Sequence, residues 1–133
     1  MPSRAIWVEQ PRVPAGTTLV LYACLPASLG AEADTAVDAA RRYAKEVSCE
    51  VVAEFIDRAD PMGERDGCPG WHKALAAVEA GTAEGIVAPL MVMLGRGKAE
   101  HLAAWQKRTG AYVLTSSVID TPKASGLFTQ GAA

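Results

Sequence analysis

Residues 17–57 read TTLVLYACLPASLGAEADTAVDAARRYAKEVSCEVVAEFID, and the change of period inside this stretch decides the fold class. Thr17–Cys24 is an apolar, β-branched run closed by Pro26 and Gly30, short enough for a strand buried on both faces. From Ala31 to Glu46 the spacing becomes helical. Ala33, Ala36, Val37, Ala40, Ala44 and Val47 recur along one face, and charged residues occupy the other. Glu50–Asp57 then returns to strand character. Strand, helix and strand in this order form a crossover unit, which requires the two strands to be parallel.

The same alternation continues downstream. RADPMGERDG, residues 58–67, reads as a polar loop in which Glu64, Arg65 and Asp66 are expected to be solvated. Pro69 suits the first position of a helix, where its missing N–H costs nothing, and Gly81 suits a left-handed stop. Trp71, Ala74, Leu75 and Val78 line one face between them. Gly85–Leu90 reads as a third strand ending near Pro89, which cannot donate to a ladder. A third helix is predicted from about Lys98 to Thr109, stopped by Gly110, and Ala111–Thr115 as a fourth strand. The expectation is a three-layer α/β sandwich of about four mainly parallel strands with helices on both faces. Upstream, Pro2, Pro11, Pro14 and Gly16 make residues 1–16 an irregular arm, in which Ile6, Trp7 and Val8 can pair or pack. Residues 17–115 form the domain, and Ser116–Ala133 is a tail rich in small and polar residues.

The chain has 133 residues, half of them hydrophobic, which is enough for one core without disulfides or metal. Thirteen basic residues against fifteen acidic ones leave a formal net charge of −2. A compact nucleic-acid-binding module normally carries a basic excess, so DNA binding by this chain alone is expected to be weak. Cys24, Cys49 and Cys68 are odd in number and show no CxxC spacing. That pattern points away from a disulfide framework and towards a reducing cytoplasm. The N-terminal residues lack the apolar run of a signal peptide, and Ile86–Leu94 is too short to span a bilayer.

Five strings, in order, resemble the catalytic domain of serine recombinases, the resolvases and invertases. VLYACLPAS (residues 20–28) is similar to that family's Y-A-R-V-S signature. RRYAKEVSCEVVAEFID is similar to its next helix and strand, which end in an acidic residue. CPGWHKALAAVEAG resembles its R-P-G-Leu helix, and Leu94-Gly95-Arg96 the end of its D-R-L-G-R motif. GAYVLTSSVIDTPKASGLF resembles the segment leading to its long dimerisation helix. The resemblance implies a resolvase-like fold and DNA recombination, in which a serine hydroxyl attacks a phosphodiester amid several arginines. A hydroxyl is a weak nucleophile, and fixed guanidinium groups stabilise the charge that develops on the phosphate.

Residue by residue, most of that machinery is replaced. Tyr22 matches the motif tyrosine, but Cys24 stands at the arginine position and Pro26 at the serine position. Cys68 replaces the arginine of R-P-G, while Val92 and Met93 replace Asp and Arg of D-R-L-G-R. Asp57 matches the acidic residue after the second strand, and Arg96 is kept. Each lost phosphate donor costs roughly 10²–10³ in rate, and loss of the nucleophile removes the covalent route. Ser28, two residues beyond Pro26, is a nucleophile only if the loop shifts; otherwise it is a turn or helix-capping serine.

Other groupings have two readings. Cys24, Cys68 and His72 are either a metal or redox set, or thiols filling space vacated by arginine. Arg96 and Lys98 flank glycines at a helix start, giving either an anion site or a surface turn. His101 reads as a surface residue, Cys49 as core or edge, and Trp71, Trp105, Met91 and Met93 as core. The resemblance places the start of the family's dimerisation helix near Gly126, and only residues 127–133 follow, so that interface is expected to be missing. The expected function is therefore a non-catalytic regulatory or protein-interaction module with no cofactor and no metal. Its partner is another protein, or a second copy through a non-family interface that includes the arm. The alternatives are a divergent recombinase domain with residual DNA binding, and a redox or small-ligand protein using the former pocket.

Overall fold

The strand that organises the molecule is Thr18–Leu25 (β1), whose residues from Leu19 to Leu25 are all buried. A strand covered on both faces must have helices above and below it, as a parallel sheet requires. The computed structural model describes residues 13–94 and 99–117. After β1 come Ala31–Glu46 (α1), Glu50–Arg58 (β2), Pro69–Glu79 (α2), Gly85–Ala88 (β3), a 3₁₀ turn at Met91–Leu94, Ala99–Thr109 (α3) and Tyr112–Thr115 (β4). The strands lie in the order β2-β1-β3-β4, and every adjacent pair is parallel. The expected α/β sandwich is what forms.

Small residues set the helix-to-sheet distance. Ala33, Val37, Ala40 and Ala44 are the buried positions of α1, and Ala74 and Val78 belong to those of α2. Gly81 and Gly110 stop α2 and α3 with φ of +82° and +73°, as their sequence positions suggested. The α1 stop is different. Ser48, not glycine, takes the left-handed conformation there, with φ of 64°, while the Cys49 amide donates back to Ala44.

Two expectations change in detail. The third strand ends at Ala88 rather than Leu90, and the chain then turns through the 3₁₀ segment. Pro89 explains the early end, since it offers no N–H to the ladder. Its carbonyl still accepts from Ser117 at 3.2 Å. The second difference is in the arm. Val13 packs against the core, and the Gly16 amide donates to Ser48 at 2.7 Å, so residues 13–16 dock on the domain. Ile6, Trp7 and Val8, residues 95–98 and residues 118–133 lie outside the described residues. Among those described, no helix is long and apolar enough to cross a membrane.

Candidate functional site

In the β1–β2 ladder Tyr22 stands beside Phe55 and Cys24 beside Asp57. Paired residues of parallel strands share a face, here the one covered by α2. The sheet order reverses between β1 and β3, and ligands of open α/β sheets bind outside the carboxyl ends of strands at that point. Tyr22, Cys24 and Pro26 occupy the carboxyl half and exit of this central strand, as the sequence led one to expect.

Asp57 is the hub. Its carboxylate is buried and accepts the Tyr22 hydroxyl at 2.8 Å, the Gly70 amide at 2.9 Å and the Trp71 amide at 2.9 Å. The last two are amides of the first turn of α2, which lack partners inside the helix. Cys68, at the cap position of α2, contributes no side-chain bond to the helix amides, so a carboxylate from β2 caps the helix from across the fold. The positive end of the helix dipole favours the charge. Gly70 makes the approach possible: a Cβ there would lie within 2.9–3.0 Å of the carboxylate atoms. Trp71 closes the group with an edge-on contact to the Tyr22 ring, centroids 5.2 Å apart. Burial, together with the hydrogen bond to Asp57, pushes the Tyr22 hydroxyl well above its ordinary pKa. It is a hydrogen-bond donor here, not an acid.

The loop between β2 and α2 corrects the sequence reading. Arg65 is not solvated but 4% exposed, with its guanidinium against Cys24. One terminal nitrogen contacts the Cys24 sulfur and lies 3.8 Å from that of Cys68. The other donates to the carbonyls of Asp60 at 3.2 Å, Pro61 at 2.6 Å and Gly63 at 2.9 Å. Its Nε is buried with no acceptor among the described residues. Burial works against the charge, but interactions with Tyr22 and Cys24 outweigh it and hold the group protonated. A guanidinium thus fills the space between Cys24 and Cys68, contributed by a position that the sequence reading left as a solvated loop. The only signal was a lone arginine among Pro61, Gly63 and Gly67, where loop carbonyls need a donor.

The remaining candidates disperse. Cys24 and Cys68 meet around Arg65, whereas His72 turns its Nε2 to the Asp66 carbonyl at 2.7 Å. No three potential metal ligands gather among the described residues. Burial raises the Cys68 thiol. Pro26 is half-buried, and its carbonyl, with those of Ala27 and Leu29, accepts from Arg58 at 3.1, 3.4 and 2.7 Å. Ser28 is exposed in the turn and does not cap α1, whose cap position is Gly30 without a side-chain bond. Arg96 and Lys98 lie outside the described residues. His101 is exposed, Trp105 and Met93 are buried, Trp71 is half-buried, and Met91 is exposed rather than core.

The four-stranded parallel sheet matches solved serine recombinases. The C-terminal catalytic domain of ISC1926 TnpA, an IS607-like serine recombinase, aligns over 75% of this chain and 70% of its own, with TM-score 0.67 and 18% identity. A serine recombinase from Sulfolobus solfataricus aligns over 73% and 68%, with TM-score 0.57 and 20% identity. The fold is that of a serine-recombinase catalytic domain. The corresponding domain of IS1535 TnpA, also IS607-like, aligns over 74% and 70%, with TM-score 0.54 and 24% identity. No family model matches the sequence, and no curated protein matches it. Within the serine-recombinase fold, then, this chain puts Pro26 at the exit of the central strand and a buried Cys–Arg–Cys group behind it.

Proposed function

We propose that this chain is a catalytically degenerate derivative of a serine-recombinase catalytic domain, acting as a non-catalytic regulatory or protein-interaction module. The observation that carries the reading is the state of the former pocket. By resemblance the attacking hydroxyl belongs at Pro26, which has none, and the guanidinium that lies against Cys24 is not offered to a phosphate. Arg65 is 4% exposed and spends its donors on loop carbonyls and sulfur. An arginine used in this way holds a loop; it does not stabilise a displaced oxyanion.

The other readings draw less support. A redox role needs accessible, low-pKa thiols, but Cys24 is fully buried and Cys68 is both buried and raised. A small ligand held beside Arg65 needs room there. The cavity bordered by Arg65, Trp71, Leu94, His101, Leu102 and Trp105 measures about 160 Å³, below the roughly 300–1,000 Å³ of ordinary ligand sites.

The test is direct. Full-length protein is incubated with supercoiled plasmid and with randomised duplexes, then resolved on a denaturing gel. No covalent adduct and no strand breaks are expected. An adduct that disappears in Ser28→Ala would falsify the proposal and establish a divergent recombinase with a shifted nucleophile.

A further inference from the structure

α2 and α3 are strapped together towards their carboxyl ends, where Glu79 accepts the Trp105 indole N–H at 3.2 Å and the Arg108 guanidinium at 2.9 Å. Nearer their first turns a cavity of about 160 Å³ lies among Trp71 and Leu75 of α2, Leu102 and Trp105 of α3, and Leu94. Leu94 and Trp105 are buried, whereas Trp71, Leu75 and Leu102 are half-buried, so the inside is apolar and partly open to solvent. The loop after β2 supplies a further wall with Glu64, Arg65 and Asp66, and His101 faces it from the first turn of α3.

These walls are held from behind. Arg65 gathers the carbonyls of Asp60, Pro61 and Gly63, the His72 ring meets the Asp66 carbonyl at 2.7 Å, and Trp71 rests edge-on against Tyr22. A pocket already ordered loses little entropy when it is filled. Its size suits one ring, since an apolar cavity of about 150 Å³ holds a benzene molecule. Its charge is one-sided. Glu64, Asp66 and His101 are exposed, while Arg65, the one arginine or lysine among the described lining residues, is 4% exposed. The terminal nitrogens of Arg65 are spent on sulfur and loop carbonyls. A group arriving from solvent therefore meets carboxylates before it meets the apolar interior.

We propose that this cavity is a docking pocket for a partner protein, which inserts one phenylalanine-sized ring and carries a lysine or arginine beside it. Interfaces concentrate their energy in such buried aromatic anchors and surround them with a polar rim. Here Glu64 and Asp66 form the rim, and a cation next to the anchor matches them. The proposal rests on the reading of this chain as an interaction module and specifies its surface and the chemistry it receives.

Proton–nitrogen NMR spectra of full-length protein, titrated with blocked dipeptides at millimolar concentration, test it. N-acetyl-Phe-Arg-amide is expected to shift the indole N–H signals of Trp71 and Trp105 saturably. N-acetyl-Phe-Glu-amide should bind about two- to five-fold more weakly, the usual worth of a surface charge pair. N-acetyl-Ala-Arg-amide should leave both signals in place. Leu102→Trp puts an indole into the cavity and should abolish the shifts, while the rest of the spectrum shows whether the fold is kept. Glu64→Lys combined with Asp66→Lys should reverse the preference and make the Phe-Glu probe the tighter binder. Should Leu102→Trp fail to fold, this charge exchange decides. Absence of saturable shifts overturns the pocket, and so do shifts that survive Leu102→Trp. Equal binding of the Phe-Arg and Phe-Glu probes overturns the basic partner, leaving a cavity open to any ring. Protein that shows no shifts and leaves DNA intact sinks this pocket but not the functional reading; protein that shows the shifts and forms the adduct does the reverse.

Discussion

The carboxylate of Asp57 holds three elements together, because its two oxygens accept from a tyrosine on β1 and from two amides at the start of α2. Such an acceptor is costly to lose. Asp57→Ala leaves three buried donors without a partner and is expected to destabilise the domain by about 2–4 kcal/mol, measured as a lower urea midpoint. Gly70→Ala attacks the same group from the other side, since the new methyl would sit 2.9–3.0 Å from the carboxylate. A loss of about 1–3 kcal/mol is expected, and an unchanged midpoint would contradict the geometry. Tyr22 adds a pH dependence whose sign follows from its raised pKa. A proton bound more tightly in the folded state becomes a cost once the unfolded chain begins to lose its own, because deprotonation then stabilises only the unfolded chain. The stability is fully present below the ordinary tyrosine value of 10.0 and is lost as pH climbs above it towards the folded value. Stability should therefore fall more steeply above that point in the wild type than in Tyr22→Phe.

At the scale of elements, the end of α1 is the place where this fold carries a cost that substitution can relieve. Ser48 adopts φ of 64°, and a β-carbon in that conformation costs roughly 1–2 kcal/mol. Gly ends α2 and α3 without that cost, so Ser48→Gly should raise stability by about 1 kcal/mol, seen as a higher Tm; a decrease would mean that the serine side chain contributes more than its backbone conformation costs. The sequence had no way to show this strain, because the helical spacing of Ala33 to Ala44 announces a helix without announcing how it stops. What periodicity could show, it showed. β1 is apolar throughout because both faces are covered, and the Pro69 and Gly81 punctuation placed α2 from its start to its stop. Asp57 was legible as a position but not as a cap, since its partners are amides of a helix beginning twelve residues later in the chain. Arg65 was misread because a charged residue among glycines and prolines looks solvated. Its burial depends on three carbonyls that turn inward only when the loop folds.

For the whole molecule, the distribution of charge decides what this fold does with DNA. A serine-recombinase fold invites the expectation of a nucleic-acid partner, but affinity for duplex DNA comes largely from cations free to displace condensed counter-ions. Here the formal net charge is −2. The arginines of the described surface are also largely engaged: Arg41 with Asp38 and Glu54, Arg108 with Glu79, and Arg58 with the loop after β1. Arg65 is buried. A guanidinium already paired with a carboxylate must give up that partner to meet a phosphate, so its gain is small. Non-specific duplex binding is therefore expected to be weaker than about 10⁻⁴ M at physiological salt, with log K falling against log salt at a slope no steeper than about −2. Fluorescence anisotropy of a labelled duplex titrated with full-length protein at several salt concentrations measures both quantities. Micromolar binding with a slope near −5, the value for about six phosphates neutralised at once, would mean that the chain presents a basic surface elsewhere, and would move the functional reading back towards a DNA-acting domain.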